Sequence, residues 1–284
     1  MPTTVEESLY YAAQGGHASL VSALLRDHAD LNVSWADSRQ RTALHVASYN
    51  GHVEVVKLLL AHPTIEVNLK DSFESTTFFL ACLRGYLPVV QWLLKDARVN
   101  TTLADQDSCS PLWVASWQGH YEVVEWLIAS GSDLGDLNSK GKWKGCELCS
   151  ALEIATRKGH TDVVSLLERL TANPTRTFHE VRVKLGVLGE LAAEVFALTI
   201  FLCDDLLQLK PALNPAVTPN SASAVATRFF AIATRLPLEL QMILCYRVVG
   251  SAKQNILSDE SEVAFKSLAR ELLLLRDPFL SKSE

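Results

Sequence analysis

The feature that most constrains this chain is a block that returns at a near-constant interval. Thr42-Ala43-Leu44-His45-Val46-Ala47-Ser48-Tyr49-Asn50-Gly51-His52 is echoed by Thr76–Tyr86, Ser110–His120, Ser150–His160 and, more weakly, Glu7–His17. The copies start at 7, 42, 76, 110 and 150, giving steps of 35, 34, 34 and 40. Each is followed by a second apolar block: Leu20-Val21 with Leu24-Leu25, Val55-Val56 with Leu58-Leu59, Val89-Val90 with Leu93-Leu94, Val123-Val124 with Leu127-Ile128, and Val163-Val164 with Leu166-Leu167. Apolar residues at i, i+1, i+3 and i+4 make one face of an amphipathic helix, and a unit this short has nothing of its own to cover that face. The units must stack, so the repeat predicts a solenoid whose core is continuous from one unit to the next.

Within a unit the residues read as helix, tight turn, helix and extended link. Thr42 and Ser110 supply N-cap oxygens, and Pro111 sits at the first helical position, where a missing N–H costs nothing. Gly16, Gly51, Gly85, Gly119 and Gly159 mark turns that favour positive φ.

These residues resemble the ankyrin repeat, whose pattern is Thr-Pro-Leu-His-x-Ala-Ala, then Gly-His, then Val-Val-x-x-Leu-Leu. The resemblance covers residues from about 5 to 172 and implies an all-α ankyrin-repeat solenoid of helix-turn-helix units with short β-hairpin fingers. The family's histidine position is Tyr10, His45, Phe79, Trp113 and Glu153 here, so only the second unit keeps the residue that usually braces neighbouring repeats, and uneven local stability is expected. The step of 40 places a longer finger over Asp136 to Cys149.

The resemblance also implies a partner-binding surface. In the family the two residues before Gly-His and the finger tips commonly face the ligand. By position these are Tyr49 and Asn50, Leu83 and Arg84, Trp117 and Gln118, and Arg157 and Lys158, with Lys70, Ser72 and Phe73 on the tip before the third unit and Trp35 on the preceding one. Tyr, Trp and Arg are the residue types that dominate interface energetics. The expected function is therefore non-catalytic binding of another protein on the concave face, as scaffold or adaptor, by a monomer.

Beyond Pro174 the period disappears while helical apolar spacing continues, so residues 1–173 read as the ankyrin-repeat domain of five repeats and 174–284 as a small all-helical module that caps the solenoid. Pro211 to Ser223 reads as a linker inside that module. Leu236-Pro237-Leu238-Glu239-Leu240-Gln241-Met242-Ile243-Leu244 resembles the opening of an F-box, which implies an alternative role as a substrate-receptor adaptor of a ubiquitin ligase using residues 236–244. The stretch from Cys245 to Asn255 departs from the F-box continuation, and a proline-started amphipathic helix makes the same pattern.

Other chemistries find little support. Cys146 and Cys149 have a metal-like spacing, but a structural zinc site needs four ligands and no second pair lies nearby. His17, His52, His120 and His160 occupy equivalent repeat positions, spread along the array rather than converging. Asp204 and Asp205 are helix neighbours that point in different directions. With no Walker or dinucleotide glycine loop and no Gly-x-Ser-x-Gly elbow, neither an enzyme, a metal nor a cofactor is expected.

Charge and targeting signals complete the reading. Residues 1–174 hold 14 Lys/Arg against 20 Asp/Glu, a balance of −6, while 175–284 hold 12 of each and sum to zero. An acidic surface without a basic stripe argues against nucleic acid. The longest apolar run, Val195 to Cys203, is nine residues, far below the roughly 20 that span a bilayer, so no membrane is expected either. Met1–Glu7 lacks a secretory pattern, and six scattered cysteines suit a reducing compartment, so an intracellular place, cytoplasmic or nuclear, is expected. If the module beyond Pro174 caps the array, a fragment ending at Thr171 will lose thermal stability or aggregate, measured by calorimetry and light scattering; an unchanged melting temperature in a monomeric fragment would make the module an independent domain.

Overall fold

The computed structural model describes residues 4–28, 30–142 and 147–203, together with 233, 241–245 and 264; the side chains of 190, 191, 193, 194 and 200–203 lie outside that description. The chain divides into two compact units, residues 1–181 and 182–284.

The first unit is the repeat array. Its helices come in pairs: α1 (Val5–Gln14) with α2 (Ala18–Asp27), α3 (Ala43–Asn50) with α4 (Val53–Leu60), α5 (Thr77–Arg84) with α6 (Leu87–Leu94), α7 (Pro111–Gln118) with α8 (Tyr121–Ser130), and α9 (Ala151–Lys158) with α10 (Thr161–Ala172). First helices pack on first helices in the order α1, α3, α5, α7, α9, and second helices on second in the order α2, α4, α6, α8, α10. The core lies between the two rows, where Leu44, Phe78, Trp113 and Ile154 of the first row and Val56, Val90, Val124 and Val163 of the second are buried. The array is thus an all-α repeat solenoid, as the period predicts.

Local sequence starts and stops each first helix. Thr4, Thr42, Thr76, Ser110 and Ser150 each accept a hydrogen bond from the amide three residues on, the N-cap arrangement that satisfies an otherwise orphaned donor. In the first repeat the cap lies at Thr4, three residues before the Glu7 at which the sequence block begins, so α1 gains a turn. The other end closes in a Schellman motif: Gly85 has φ 71°, its amide reaches Cys82, and the Tyr86 amide reaches Ala81 at 3.3 Å.

The second helices start without a side-chain cap. Their N-cap imidazoles reach into the preceding repeat instead. The Nε2 of His52 donates to the carbonyl of Gln14 at 2.9 Å, that of His120 to Leu83 at 3.2 Å, and that of His160 to Trp117 at 3.0 Å. Since a carbonyl can only accept, each Nε2 carries the proton. Each ring also lies against the glycine of the repeat before, so that a Cβ on Gly85 would stand 2.5 Å from His120 Nδ1. Tyr86 takes the histidine place in the third repeat, where its ring covers Gly51.

Short fingers connect the repeats, through isolated antiparallel bridges Ala36↔Thr42, Lys70↔Thr76 and Gly141↔Cys149. Asp37, Asp71 and Asp105 hold three of them shut: in each, one carboxylate oxygen accepts the amides two and four residues on, at 2.8–3.0 Å. That geometry forces the residue three after the aspartate, Gln40, Glu74 or Ser108, to φ of 58–60°, and one amide per finger then bonds the finger before it: Ser72 to Arg39, Gln106 to Phe73, Lys142 to Asp107.

The segment α11 (Pro174–Leu185) begins in the first unit, where Thr177 Oγ1 donates to the Arg169 carbonyl at 2.8 Å and Glu180 meets Arg169 and Arg176. In the second unit the structure describes α12 (Leu188–Cys203), and the Thr199 hydroxyl lies 4.0 Å from the Cys245 sulfur. Of the F-box-like stretch, residues 236–240 lie outside the described residues, while Gln241 to Leu244 are helical. No helix of the described residues is long and apolar enough to cross a membrane.

Gly85 and Gly159 separate two costs. Both have positive φ, but nothing lies within 4 Å of a Cβ on Gly159. Gly159→Ala will cost roughly 1–2 kcal/mol for the left-handed backbone alone, and Gly85→Ala roughly 2–5 kcal/mol once the overlap with His120 is added. Equal losses in chemical denaturation would show that the glycine–ring contact does not matter.

Candidate partner-binding surface

The residues just before each glycine occupy the last turn of a first helix, so the stacking of first helices aligns them in a row beside the fingers. Tyr49 and Arg84 meet in this row: the guanidinium lies over the ring, 4.8 Å from its centroid, with Tyr49 42% exposed. Two repeats on, Lys158 lies over the ring of Trp117 at 5.8 Å. The aromatic of one repeat is thus faced by the cation of the next, an interaction of about 0.5–1 kcal/mol at exposed sites.

Other predicted residues are placed differently. Asn50 is tied to the array, its Nδ2 donating to the Gln14 carbonyl at 3.3 Å. Leu83 is half-buried and its carbonyl accepts from His120. Trp117, also half-buried, stacks on Trp113 with centroids 6.3 Å apart. Gln118 is exposed, and Arg157 pairs with Glu147 at 3.1 Å. On the fingers Lys70 pairs with Glu74 at 3.1 Å, Ser72 is exposed, and Phe73 is 54% exposed. Trp35 packs edge-on against Tyr10 of α1 at 5.9 Å, which leaves it partly covered.

A cavity of about 250 Å³ lies at one place along this face. Val46 and Leu80 are its buried apolar lining; Tyr49, Asn50 and Phe73, all named from the sequence, share it with Gln14, Arg39, Arg41 and His45. The two arginines escaped the sequence reading because they sit inside the finger rather than at the positions the family pattern marks. Arg41 is held in place: it bonds Asp37 at 2.6 Å, and Asp37 also accepts from the Tyr10 hydroxyl at 2.9 Å. Burial opposes charge on Asp37, but the bonds from Arg41, Tyr10 and the Arg39 amide outweigh it and bring its pKa down to about 2. Burial and the Asp37 bond push Tyr10 up to about 12.

Beneath the cavity, His45 makes the brace expected of it. Its Nε2 donates to the Leu69 carbonyl at 3.0 Å, which leaves Nδ1 to accept from the Thr42 amide at 3.2 Å and the Thr42 hydroxyl at 2.8 Å. In the fourth repeat Trp113 does comparable work, its indole N–H donating to the Cys149 carbonyl at 2.8 Å. The missing histidine is therefore replaced there rather than simply lost.

Among the described residues no group of three or more His, Cys, Asp or Glu is arranged to hold a metal ion. Cys149 is buried, and Cys146 lies outside the described residues.

Paired helices in register, bridged by fingers and exposing one variable row, define a helical repeat array of the kind that presents a recognition surface. The family is then plain. Residues 4–71 and 64–140 match the family model described as Ankyrin repeats (3 copies), and the chain is an ankyrin-repeat protein. The matched residues end before α9, but the fifth helix pair carries the same cap at Ser150, the same left-handed glycine and the same histidine contact. A comparison with curated proteins found no matching relative. Ankyrin repeats generally mediate protein–protein interaction.

Burial holds the pKa of His45 below the ordinary imidazole value, against the opposing pull of Asp71, the Leu69 and Ser75 carbonyls and Asp37. The folded state therefore binds this proton less readily than the unfolded state, so His45 contributes stability above about pH 6.5 that is lost as pH falls from there toward its folded pKa. Melting temperature will drop between pH 7.5 and 5.5, and His45→Gln will make that slope shallower. Parallel slopes in the two proteins would exclude His45 as its source.

Proposed function

We propose that this protein is a non-catalytic binding scaffold that holds another polypeptide against the concave face formed by the first helices and the fingers. The observation that carries this reading is the register of aromatic and cationic side chains across repeats, Tyr49 beneath Arg84 and Trp117 beneath Lys158, at the edge of a face that also exposes Phe73. Nothing in the fold of the array requires an aromatic at Tyr49: α3 is capped by Thr42, closed by Gly51 and packed through Leu44 and Ala47. A large ring left 42% exposed at such a position, pre-oriented by a guanidinium, supplies area for an interface at little cost in conformational entropy. Leu83, Gln118, Arg157, Lys70, Ser72 and Trp35 extend the same surface in this reading, and Asn50 shapes it by anchoring to Gln14.

The experiment is to recover the partner by affinity purification and mass spectrometry, then measure binding of the purified pair. Tyr49→Ala with Trp117→Ala will weaken the complex by about 2 kcal/mol or more, while the melting curve shows that the array still folds. Unchanged affinity in a folded double variant would move the interface off this face.

A further inference from the structure

We infer that the cavity between the first three repeats takes an acidic side chain of the bound segment, set beside an apolar residue that enters against Val46 and Leu80. This rests on the concave face being the binding face and adds the chemistry of what it selects.

The Arg39 side chain is exposed at the cavity and has no hydrogen-bond or ion-pair partner among the described residues, which leaves five N–H donors in a planar fork unused. Arg84 lies over the adjoining Tyr49 ring at 4.8 Å and near the Tyr86 ring at 5.9 Å, and likewise has no carboxylate partner among the described residues. The nearby carboxylates are already spent. Asp37 is bound by Arg41 and Tyr10, Glu74 by Lys70, and Asp71 is buried with an oxygen on the amides of Phe73 and Ser75. A protein of net charge −6 has many acidic residues to offer its surface arginines, yet neither of these two is paired with one among the described residues. The cavity accordingly offers one unpaired guanidinium, Arg39, over an apolar floor, with Arg84 on the adjoining Tyr49 ring. A carboxylate can dock on such a fork in the bidentate manner, whereas a lysine or arginine from a partner would meet like charge.

The test uses the full chain and a phage-displayed library of random linear peptides. Enriched sequences are expected to carry Asp or Glu next to a large apolar residue. Against a synthetic peptide of that kind, Arg39→Gln will weaken binding roughly ten-fold or more, and panning on Arg39→Glu will shift enrichment toward Lys and Arg. Neither substitution removes the Arg39 carbonyl that accepts from Ser72, and a melting curve confirms that both variants fold. A library that yields no acidic consensus overturns the inference, as does an acidic peptide that binds the wild type and both variants equally. Peptides that lack acidic residues but lose affinity on Tyr49→Ala and Trp117→Ala would remove this inference and leave the binding face standing.

Discussion

The contact between an N-cap imidazole and the last turn of the preceding repeat is what the array depends on. A pair of short helices buries too little to fold alone, and an apolar seam by itself does not set how far one pair slides against the next. His52, His120 and His160 remove that freedom. Each donates to a carbonyl at the C-terminal end of a first helix, one of the groups the helix leaves unpaired, and each lies flat against a glycine with no Cβ to obstruct it. The same glycine needs its left-handed backbone to close the Schellman motif. Chain reversal and stacking register are thus decided at one point, and a substitution there disturbs both.

That division of labour frees the row proposed to bind a partner. The two residues before each glycine belong to a helix whose start and end are secured by other positions, so apart from local ties such as Asn50 to Gln14 and Trp117 on Trp113 the fold leaves their side chains to vary. Tyr49, Leu83, Trp117 and Arg157 can differ in size and charge while their backbones stay in line. On the other border of the face, the aspartates at 37, 71 and 105 make the fingers rigid enough to present Arg39, Phe73 and Asp107 at fixed spacing, each finger hydrogen-bonded to its neighbour.

What was legible in the sequence is what repeats within a unit. Caps, glycines and the paired apolar blocks follow from local propensity and spacing, so the solenoid and its helix pairs could be read directly. The aspartates of the fingers recur at 34-residue steps and were equally visible, but their importance lies in amides two and four residues on, a turn the apolar pattern does not reveal. Pairings between units were harder to see. The replacement of a histidine brace by the Trp113 indole depends on where the next finger passes, and the partial covering of Trp35 depends on Tyr10, which is 25 residues away in sequence (35 − 10). Arg39 and Arg41 illustrate the same limit: neighbours of like chemistry in sequence, one is committed to Asp37 and the other left unpaired, and only their surroundings distinguish them.

Net charge and local charge then point in opposite directions, and distance decides between them. Residues 1–174 carry the whole excess of −6, which at long range disfavours an acidic partner. At physiological ionic strength, however, screening confines a surface charge to about 8 Å. A segment in the proposed groove would respond to the side chains it touches, here the unpaired Arg39 guanidinium over an apolar floor, rather than to acidic residues elsewhere on the array. Lysine-rich segments drawn in by the overall charge would meet like charge at the cavity, and acidic segments with no apolar companion would leave its floor unfilled. Selection by such a surface rests on the conjunction of the two, because neither the charge nor the apolar contact alone distinguishes one extended polypeptide from the many others in a cell.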